Sequence, residues 1–140
     1  MVLMAEAHTL VVYGAGTRGD ALLRETARVA SRRGERLTVI ALAYQEPVKV
    51  RCCNFQSGYW NRLQRELAQT DLTKARLAVE DDESVDLLVL GYEGARAAEA
   101  IAGQAEELGA ERIVLADARA AGLGRRALRR LRRRSRVPVS

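Results

Sequence analysis

The segment LVVYGAGTRGD near the start of the chain contains the residue types that a phosphate-binding turn needs. Gly14, Gly16 and Gly19 follow an apolar run with the spacing G-x-G-x-x-G, which is the dinucleotide-binding fingerprint when it connects a strand to a helix. That fold also needs an acidic residue at the end of the second strand to hold the ribose hydroxyls. Here the second apolar run ends at Tyr44 without an acid. The glycines therefore favour a tight turn into a helix over an NAD or FAD site.

The side chains that could act as acids, bases or metal ligands are few and scattered. His8 is the only histidine, and it precedes the first predicted strand, which predicts a surface position at the amino end of the sheet. Asp117 follows the fourth predicted strand, where a base, a metal ligand and a loop cap are the alternatives, and the pattern favours the cap. The acidic run EDDE at 80–83 lacks the spacing of a calcium loop and predicts a solvated turn. Without a catalytic or metal-binding constellation, the sequence predicts a binding protein and not an enzyme.

The composition predicts one globular domain. The chain has 140 residues, of which 48% are apolar, and this is enough for a single core. No apolar run approaches the roughly 18 residues of a membrane span. The first residues lack the basic and apolar segments of a secretory signal, so a cytoplasmic location is expected. Cys52 and Cys53 are adjacent and lack the C-x-x-C spacing of a redox or metal pair. They predict two reduced thiols near a loop, with a redox role as the alternative.

The charge of the chain is divided between an acidic body and a basic end. Residues 1–118 carry 14 Lys and Arg against 18 Asp and Glu, a net charge of −4, whereas residues 119–140 carry nine arginines and no acid. Three interpretations are open: a solvated face, a contact with nucleic acid, and docking to an acidic protein or an anionic membrane surface. Arg129, Arg130 and Arg133 are the residues that we expect at such a contact. The segment has no aromatic residue on which unpaired bases could stack.

The order of apolar runs and helical stripes predicts an alternating α/β protein. Nearly continuous apolar runs indicate buried parallel strands, and Gly34 and Gly109 follow two of the helical stripes as C-caps. The predicted strands cover residues 9–13, 37–43, 85–90, 112–116 and 137–140. The predicted helices cover residues 20–33, a segment that starts near residue 59 and is marked by Trp60, Leu63 and Leu67, residues 95–108 and residues 125–134. Two β-α-β units joined by a further helix predict a three-layer α/β/α sandwich with right-handed crossovers.

This pattern as a whole resembles the universal stress protein family. The resemblance rests on TLVVYGAG at the first strand, on RRGERLTVIALAYQEP, on EGARAAEAIAGQAEELGAERIVLAD and on the ending GLGRRALRRLRRRSRVPV. It implies a Rossmann-like sheet of five mainly parallel strands in the order 3-2-1-4-5, in which the connections of strands 1 and 4 leave in opposite directions. Ligands of such sheets bind at that reversal, outside the carboxyl ends of the strands. The loops 13–19 and 117–124 would line the crevice there.

Many members of that family bind ATP in the crevice, and the resemblance implies where this chain departs from them. Their acid at the end of strand 1 is replaced here by Tyr13, and the first two glycines of their G-x-x-G motif fall on Ala116 and Arg119. Their final G-S or G-T is deleted. We therefore expect no conventional ATP binding and no cofactor. An ATP- or AMP-binding stress-response switch with an altered phosphate loop is the alternative.

A different anion is also predicted for this crevice. Gly122, Gly124, Arg125 and Arg126 stand at the start of a predicted helix, where backbone N–H groups and positive charge favour anions. Tyr13 would either cover a ligand ring or fill the site. The predicted site residues are Tyr13, Gly14, Gly16, Asp117, Arg119, Gly122, Gly124, Arg125 and Arg126. The resemblance also implies a homodimer through the edge strand, which is represented here only by the short VPVS.

Overall fold

The computed structural model describes residues 7–47 and 54–140, and Cys52 and Cys53 lie outside these ranges. In this part of the chain, four parallel strands form one sheet in the order β3-β2-β1-β4. The strands are β1 (His8–Tyr13), β2 (Arg36–Gln45), β3 (Val85–Glu93) and β4 (Arg112–Ala116). The helices are α1 (Thr17–Arg33), α2 (Asn54–Ala78), α3 (Ala97–Leu108) and α4 (Arg125–Arg134). None of the helices in the described ranges is long and apolar enough to cross a membrane.

The sheet is covered on both faces, because alternate residues of its strands point in opposite directions. Val11 and Val39 belong to a core that includes buried residues of α1 and α2. Leu10 and Ile40 belong to a second core, which includes buried residues of α3 and α4. Since both faces are buried, the strands are nearly continuous apolar runs, as the sequence indicated. The α/β sandwich with a parallel sheet is confirmed.

The sheet has four strands and not the five that were predicted. Residues 137–140 lie beside β4, but they form only one parallel bridge, from Val139 to Ile113. Three backbone hydrogen bonds hold the segment: Ile113 donates to Pro138, Ser140 donates to Ile113, and Leu115 donates to Ser140. The segment is short, and its Pro138 has no N–H to donate to a ladder. The predicted order 3-2-1-4 is confirmed, and the fifth strand is reduced to this bridge.

The helix ends follow the predicted glycines. Gly34 and Gly109 both adopt the left-handed conformation at φ 64°, and they cap α1 and α3. In this conformation a side chain would be strained, which is why glycine ends so many helices.

Helix α2 is longer than predicted, and its buried face differs from the apolar residues that marked it. Trp60 is 42% exposed and Leu67 is 52% exposed, whereas Ala68, Leu72 and Ala75 are buried against the sheet. The small alanine side chains leave room for the helix to lie close to the strands. The buried stripe is therefore turned by about one residue, near 100°, from the stripe of large apolar side chains.

Candidate functional site

The strand reversal at which a crevice was predicted lies at the carboxyl ends of β1 and β4. The two strands are neighbours, and Tyr13 at the end of β1 pairs with Ala116 at the end of β4. From this edge, β1 leads to α1 on one face of the sheet and β4 leads through residues 117–124 to α4 on the other face. Such a reversal is where open α/β sheets bind ligands.

Gly14 and Gly19 of the first loop are packed against backbone, and they leave no room for a side chain. The N–H of Gly14 donates to the carbonyl of Ala116 at 2.8 Å. A Cβ atom on Gly14 would lie 2.4 Å from the carbonyl oxygen of Asp117 and 2.5 Å from the nitrogen of Ala121. A Cβ on Gly19 would lie 1.8 Å from the carbonyl oxygen of Gly14. The two loops therefore touch each other at the backbone of Gly14.

Gly16 plays a different part in this turn. It precedes the first residue of α1 with φ 142°, a conformation that favours glycine, and its carbonyl accepts the N–H of Asp20. No atom within 4 Å would meet a Cβ placed there. The requirement at Gly16 is one of backbone conformation, whereas at Gly14 and Gly19 it is one of space.

The second crevice loop uses its own N–H groups internally. The N–H groups of Ala121, Gly122 and Leu123 donate to the backbone carbonyls of Asp117, Arg119 and Ala118 at 2.9 to 3.1 Å. The N–H of Ala120 donates to the Asp117 side chain at 3.2 Å. A phosphate cradle needs backbone N–H groups that point at the ligand. In this conformation the loop has four of them already paired.

Asp117 is the loop cap that its position predicted. Its backbone is left-handed at φ 65°, a conformation that Asp tolerates better than most residues, and its carboxylate accepts the Ala120 N–H. The described residues contain no group of three or more acidic, histidine or cysteine side chains arranged to hold a metal ion. The acidic run at 80–83 is an exposed turn, in which Glu80 and Asp81 have φ 56°.

Tyr13 is the last residue of β1, and its side chain lies on the face of the sheet that α1 and α2 cover. The side chain is 1% exposed, it belongs to the core of that face, and its hydroxyl donates to the Asp20 carboxylate. Burial raises the pKa of Tyr13, and the hydrogen bond and negative charge of Asp20 raise it further. The side chain is therefore part of the core on this face of the sheet, and its two predicted roles, covering a ligand ring or filling the site, stay predictions.

The remaining predicted residues lie at the surface beside the crevice. Arg119, Gly122, Gly124, Arg125 and Arg126 are exposed. Helix α4 begins directly after Gly124 and has no side-chain cap, and its first backbone hydrogen bond runs from Leu128 to Gly124. Gly124, Arg125 and Arg126 stand at the start of α4, whereas Arg119 and Gly122 lie in the loop before it, and the binding of an anion stays a prediction.

His8 lies at the amino end of the sheet as predicted, but its expected surface position is wrong. The residue is 6% exposed, and its Nε2 atom lies 2.7 Å from the hydroxyl of Thr38. The reason is that β1 is an interior strand, so its first residue is flanked by β2 and by the chain that enters β4. The His8 carbonyl accepts the N–H of Glu111 from that chain.

Two carboxylates near Tyr13 were not singled out in the sequence. Asp20 accepts the tyrosine hydroxyl, and the charge of Asp71 on α2 also raises the pKa of Tyr13. Burial raises the pKa of Asp71 itself. Asp20 is the first residue of the helix predicted over residues 20–33, but no local signal connects Asp20 or Asp71 with Tyr13.

Two open cavities lie away from the crevice. One of about 460 Å³ lies between α3 and residues 134–137, and one of about 600 Å³ lies between α2 and the edge strand β3. Neither is lined by a residue of the loops 13–19 or 117–124.

No model of a protein family matches the chain, and no curated protein sequence matches it. Solved structures match it over nearly its full length. The universal stress protein UspA from Lactobacillus plantarum superimposes with a TM-score of 0.71 at 15% sequence identity, and 98% of each chain is covered. A protein of the universal stress protein family from Burkholderia pseudomallei has a TM-score of 0.65 at 20% identity, with 95% of this chain and 92% of that chain covered. The universal stress protein from Archaeoglobus fulgidus in complex with dAMP has a TM-score of 0.59 at 16% identity, with 98% and 97% covered.

These similarities show that the chain has the fold of the universal stress protein family. They confirm the resemblance that the sequence carried, and they extend over nearly the full length of the chain and not over a single motif.

Proposed function

We propose that this chain is a binding or regulatory module of the universal stress protein fold that does not hold ATP in the conventional way and does not act as an enzyme. It would act through what it contacts, because the described crevice offers no activated acid, base or nucleophile. Two observations support the proposal. The sequence departs from the ATP-binding members of the family at Tyr13, Ala116 and Arg119, and the two crevice loops are in contact.

The observation that carries the proposal is the closure of the crevice by its own two loops. Gly14 lies against the backbone of residues 117–121, and four N–H groups of the second loop are paired within that loop. To bind a triphosphate between the loops, the protein would have to break these hydrogen bonds and separate the backbones. Each such bond contributes about 0.5–1.5 kcal/mol, which would be subtracted from the free energy of binding.

A calorimetric titration with Mg-ATP at about 0.15 M salt tests this proposal. The protein must first be shown to carry no co-purified nucleotide. We expect no heat of binding. Binding with a dissociation constant in the micromolar range, near −8 kcal/mol, would contradict the loss of the phosphate cradle.

The alternative is a nucleotide switch that binds a smaller ligand through an altered loop. The Archaeoglobus fulgidus neighbour is a complex with dAMP, and a monophosphate would need fewer N–H groups than ATP. Titration with AMP and dAMP tests this alternative. If either binds, the substitutions Arg125→Gln and Arg126→Gln should weaken it, whereas Arg28→Gln and Arg32→Gln on α1 serve as charge-matched controls.

The predicted anion position at the start of α4 is tested with inorganic phosphate. Binding there would shift the backbone amide resonances of Gly124, Arg125 and Arg126 in a saturable manner. Shifts spread evenly over all exposed arginines would indicate charge screening and would contradict a site.

A further inference from the structure

The exposed face of α4 carries more positive charge than the fold requires. Leu131 is fully buried, Leu123 just before the helix is 3% exposed, and Ala127 and Leu128 pack partly against the same core. These four residues form the apolar side of the segment that packs on the core. The other positions of the helix are all exposed arginines: Arg125, Arg126, Arg129, Arg130, Arg132, Arg133 and Arg134.

Most of these arginines are without an acidic partner. Arg130 lies 3.7 Å from Glu99 and also donates to the carbonyl of Ala95, and Arg136 beyond the helix lies 3.3 Å from Glu106. Within the described residues, none of the remaining six forms an ion pair. The charges that face α3, on Arg130 and Arg136, are therefore partly neutralised. The arginines that point to solvent and away from α3 are not.

This arrangement opposes the local rules for a stable helix. No acid stands in the first turn of α4, Gly124 provides no side-chain cap, and Arg125 and Arg126 place positive charge at the positive end of the helix dipole. Arg129 also stands four residues from both Arg125 and Arg133, a spacing at which like charges repel. Such conflicts with local stability are expected where a surface serves binding. A bound polyanion would relieve all of them together.

The density of the charge favours one kind of polyanion. From Arg125 to Arg134 the helix rises by about 14 Å, and over that length a nucleic-acid duplex carries about eight phosphate charges, one for each 1.7 Å. An extended acidic peptide would present about four charges over the same distance, one for each 3.3 Å. The six free arginines therefore match a duplex better. Unpaired strands are disfavoured, because the segment has no aromatic side chain for base stacking.

We propose that the face of α4 formed by Arg129, Arg132 and Arg133 binds the phosphate backbone of double-stranded nucleic acid without reading its sequence. The arginine side chain suits this partner, since its guanidinium forms paired hydrogen bonds with phosphate oxygens. The surface lies on a helix face and not between the crevice loops, so this proposal goes beyond the proposed function and can fail or hold independently of it.

The test is the binding of a fluorescently labelled DNA duplex, measured by anisotropy between 50 and 200 mM salt. We expect binding that weakens steeply with salt. The triple variant Arg129→Gln, Arg132→Gln, Arg133→Gln should lower the slope of log affinity against log salt by about three, since each lost phosphate contact removes about 0.9. None of the three residues belongs to the predicted crevice site.

The matched control is on α1, which carries Arg24, Arg28 and Arg32 as an exposed stripe on the opposite face of the sheet. Their replacement by glutamine removes the same charge from one helix and should leave the slope unchanged. If both triple variants weaken binding equally, the protein binds through its overall charge and the proposal is wrong. The same conclusion follows if the unaltered protein does not bind the duplex at 50 mM salt.

Thermal melting supplies a second measurement. It separates a loss of phosphate contacts from a failure of the variant to fold, because an unfolded variant would show no melting transition. Because the α4 triple variant removes repulsion, it should melt at a higher temperature than the unaltered protein at low salt, and the difference should shrink as salt screens the charges. A lower melting temperature for this variant would contradict the proposal. A competition experiment gives a further test. If polyglutamate displaces the labelled duplex as well as unlabelled duplex of equal charge does, the proposal is wrong, because the surface would then suit acidic proteins equally well.

Discussion

Tyr13 shows how one residue changes the chemistry of the crevice. In the ATP-binding members that the sequence resembles, an acid stands at the end of the first strand, whereas here the phenol reaches into the core of α1 and α2. The acids near it are Asp20, which accepts its hydroxyl, and Asp71, which lies on α2. The hydroxyl of Tyr13 therefore has its hydrogen-bond partner within the protein.

Replacement of Asp71 by asparagine should stabilise the protein at neutral pH. Burial raises the pKa of Asp71 above its ordinary value of 3.8, so the fold favours the protonated form, and stability is lost as the pH rises through the raised pKa. Asp71→Asn avoids this loss. We expect a gain below about 1 kcal/mol, because the group is only partly buried and water screens its charge.

Urea unfolding at several pH values measures this effect. The gain should be present at pH 7 and should vanish below pH 3.8, where the carboxyl is protonated in both states. Glu66→Gln, at an exposed position of the same helix, is the control and should change little. A gain that did not depend on pH would contradict the explanation.

Gly14→Ala should destabilise the protein, although it adds only one methyl group. Its Cβ would lie within 2.5 Å of the backbone at Asp117 and Ala121, so the loops would have to separate. Overpacking of this kind costs about 1–3 kcal/mol. Gly103→Ala, inside α3 with no atom within 4 Å of the new Cβ, should instead stabilise the helix by about 0.5–1 kcal/mol.

Circular dichroism melts of both variants check this pair. A Gly14→Ala protein that melts like the unaltered one would show that the two loops are not in contact. The sequence predicted a tight turn at the glycines, but it could not predict this contact, because Gly14 and Asp117 are about a hundred residues apart in the chain.

The elements were the most predictable level of the structure. Strand β4 and helix α4 begin and end where the sequence placed them, and the other strands and helices differ mainly at their ends. Continuous apolar runs and terminal glycines are local signals, so they predict strands and helix ends without knowledge of the tertiary structure. The prediction of a fifth strand was wrong for the opposite reason. Whether four residues that include Pro138 pair as a strand depends on tertiary contacts with β4, and these give only one bridge.

The sequence also did not predict which face of α2 packs on the sheet. Substitution of two leucines on this helix tests the orientation of the helix. Leu72 is 4% exposed and Leu67 is 52% exposed. Leu72→Ala should cost about 2–5 kcal/mol through the cavity that it leaves, whereas Leu67→Ala should stay within about 0.5 kcal/mol. Equal losses in urea unfolding would mean that the helix is rotated from the orientation described.

At the scale of the whole molecule, the association of two copies is still a prediction. The resemblance implies a homodimer through the edge beyond β4, and that edge is formed here by residues 137–140 with a single bridge. If two copies associate there, Val139→Lys should shift the sedimentation coefficient from that of a dimer to that of a monomer. A dimer that is unaffected by this substitution would use another surface.

The place of the strand reversal was predictable from the sequence, but the conformation of the loops beside it was not. The strand order alone placed the crevice at the ends of β1 and β4, because that point is fixed by topology. Whether the loops there are open or closed depends on hydrogen bonds within residues 117–123, which the residue types do not reveal. The free arginines of α4 were visible in the sequence, and only the pairing of Arg130 and Arg136 with α3 required the structure.

The central place of β1 also has a consequence for how the chain is made. His8 meets Thr38 across 30 residues, but Thr9 meets Arg112 across 103. During synthesis, β1, β2 and β3 can therefore assemble with α1 and α2 while Leu10 and Ile40 still wait for α3 and α4. A chain whose synthesis stops before α3 would leave the Leu10 and Ile40 face of the sheet exposed, and we expect chaperones to bind it.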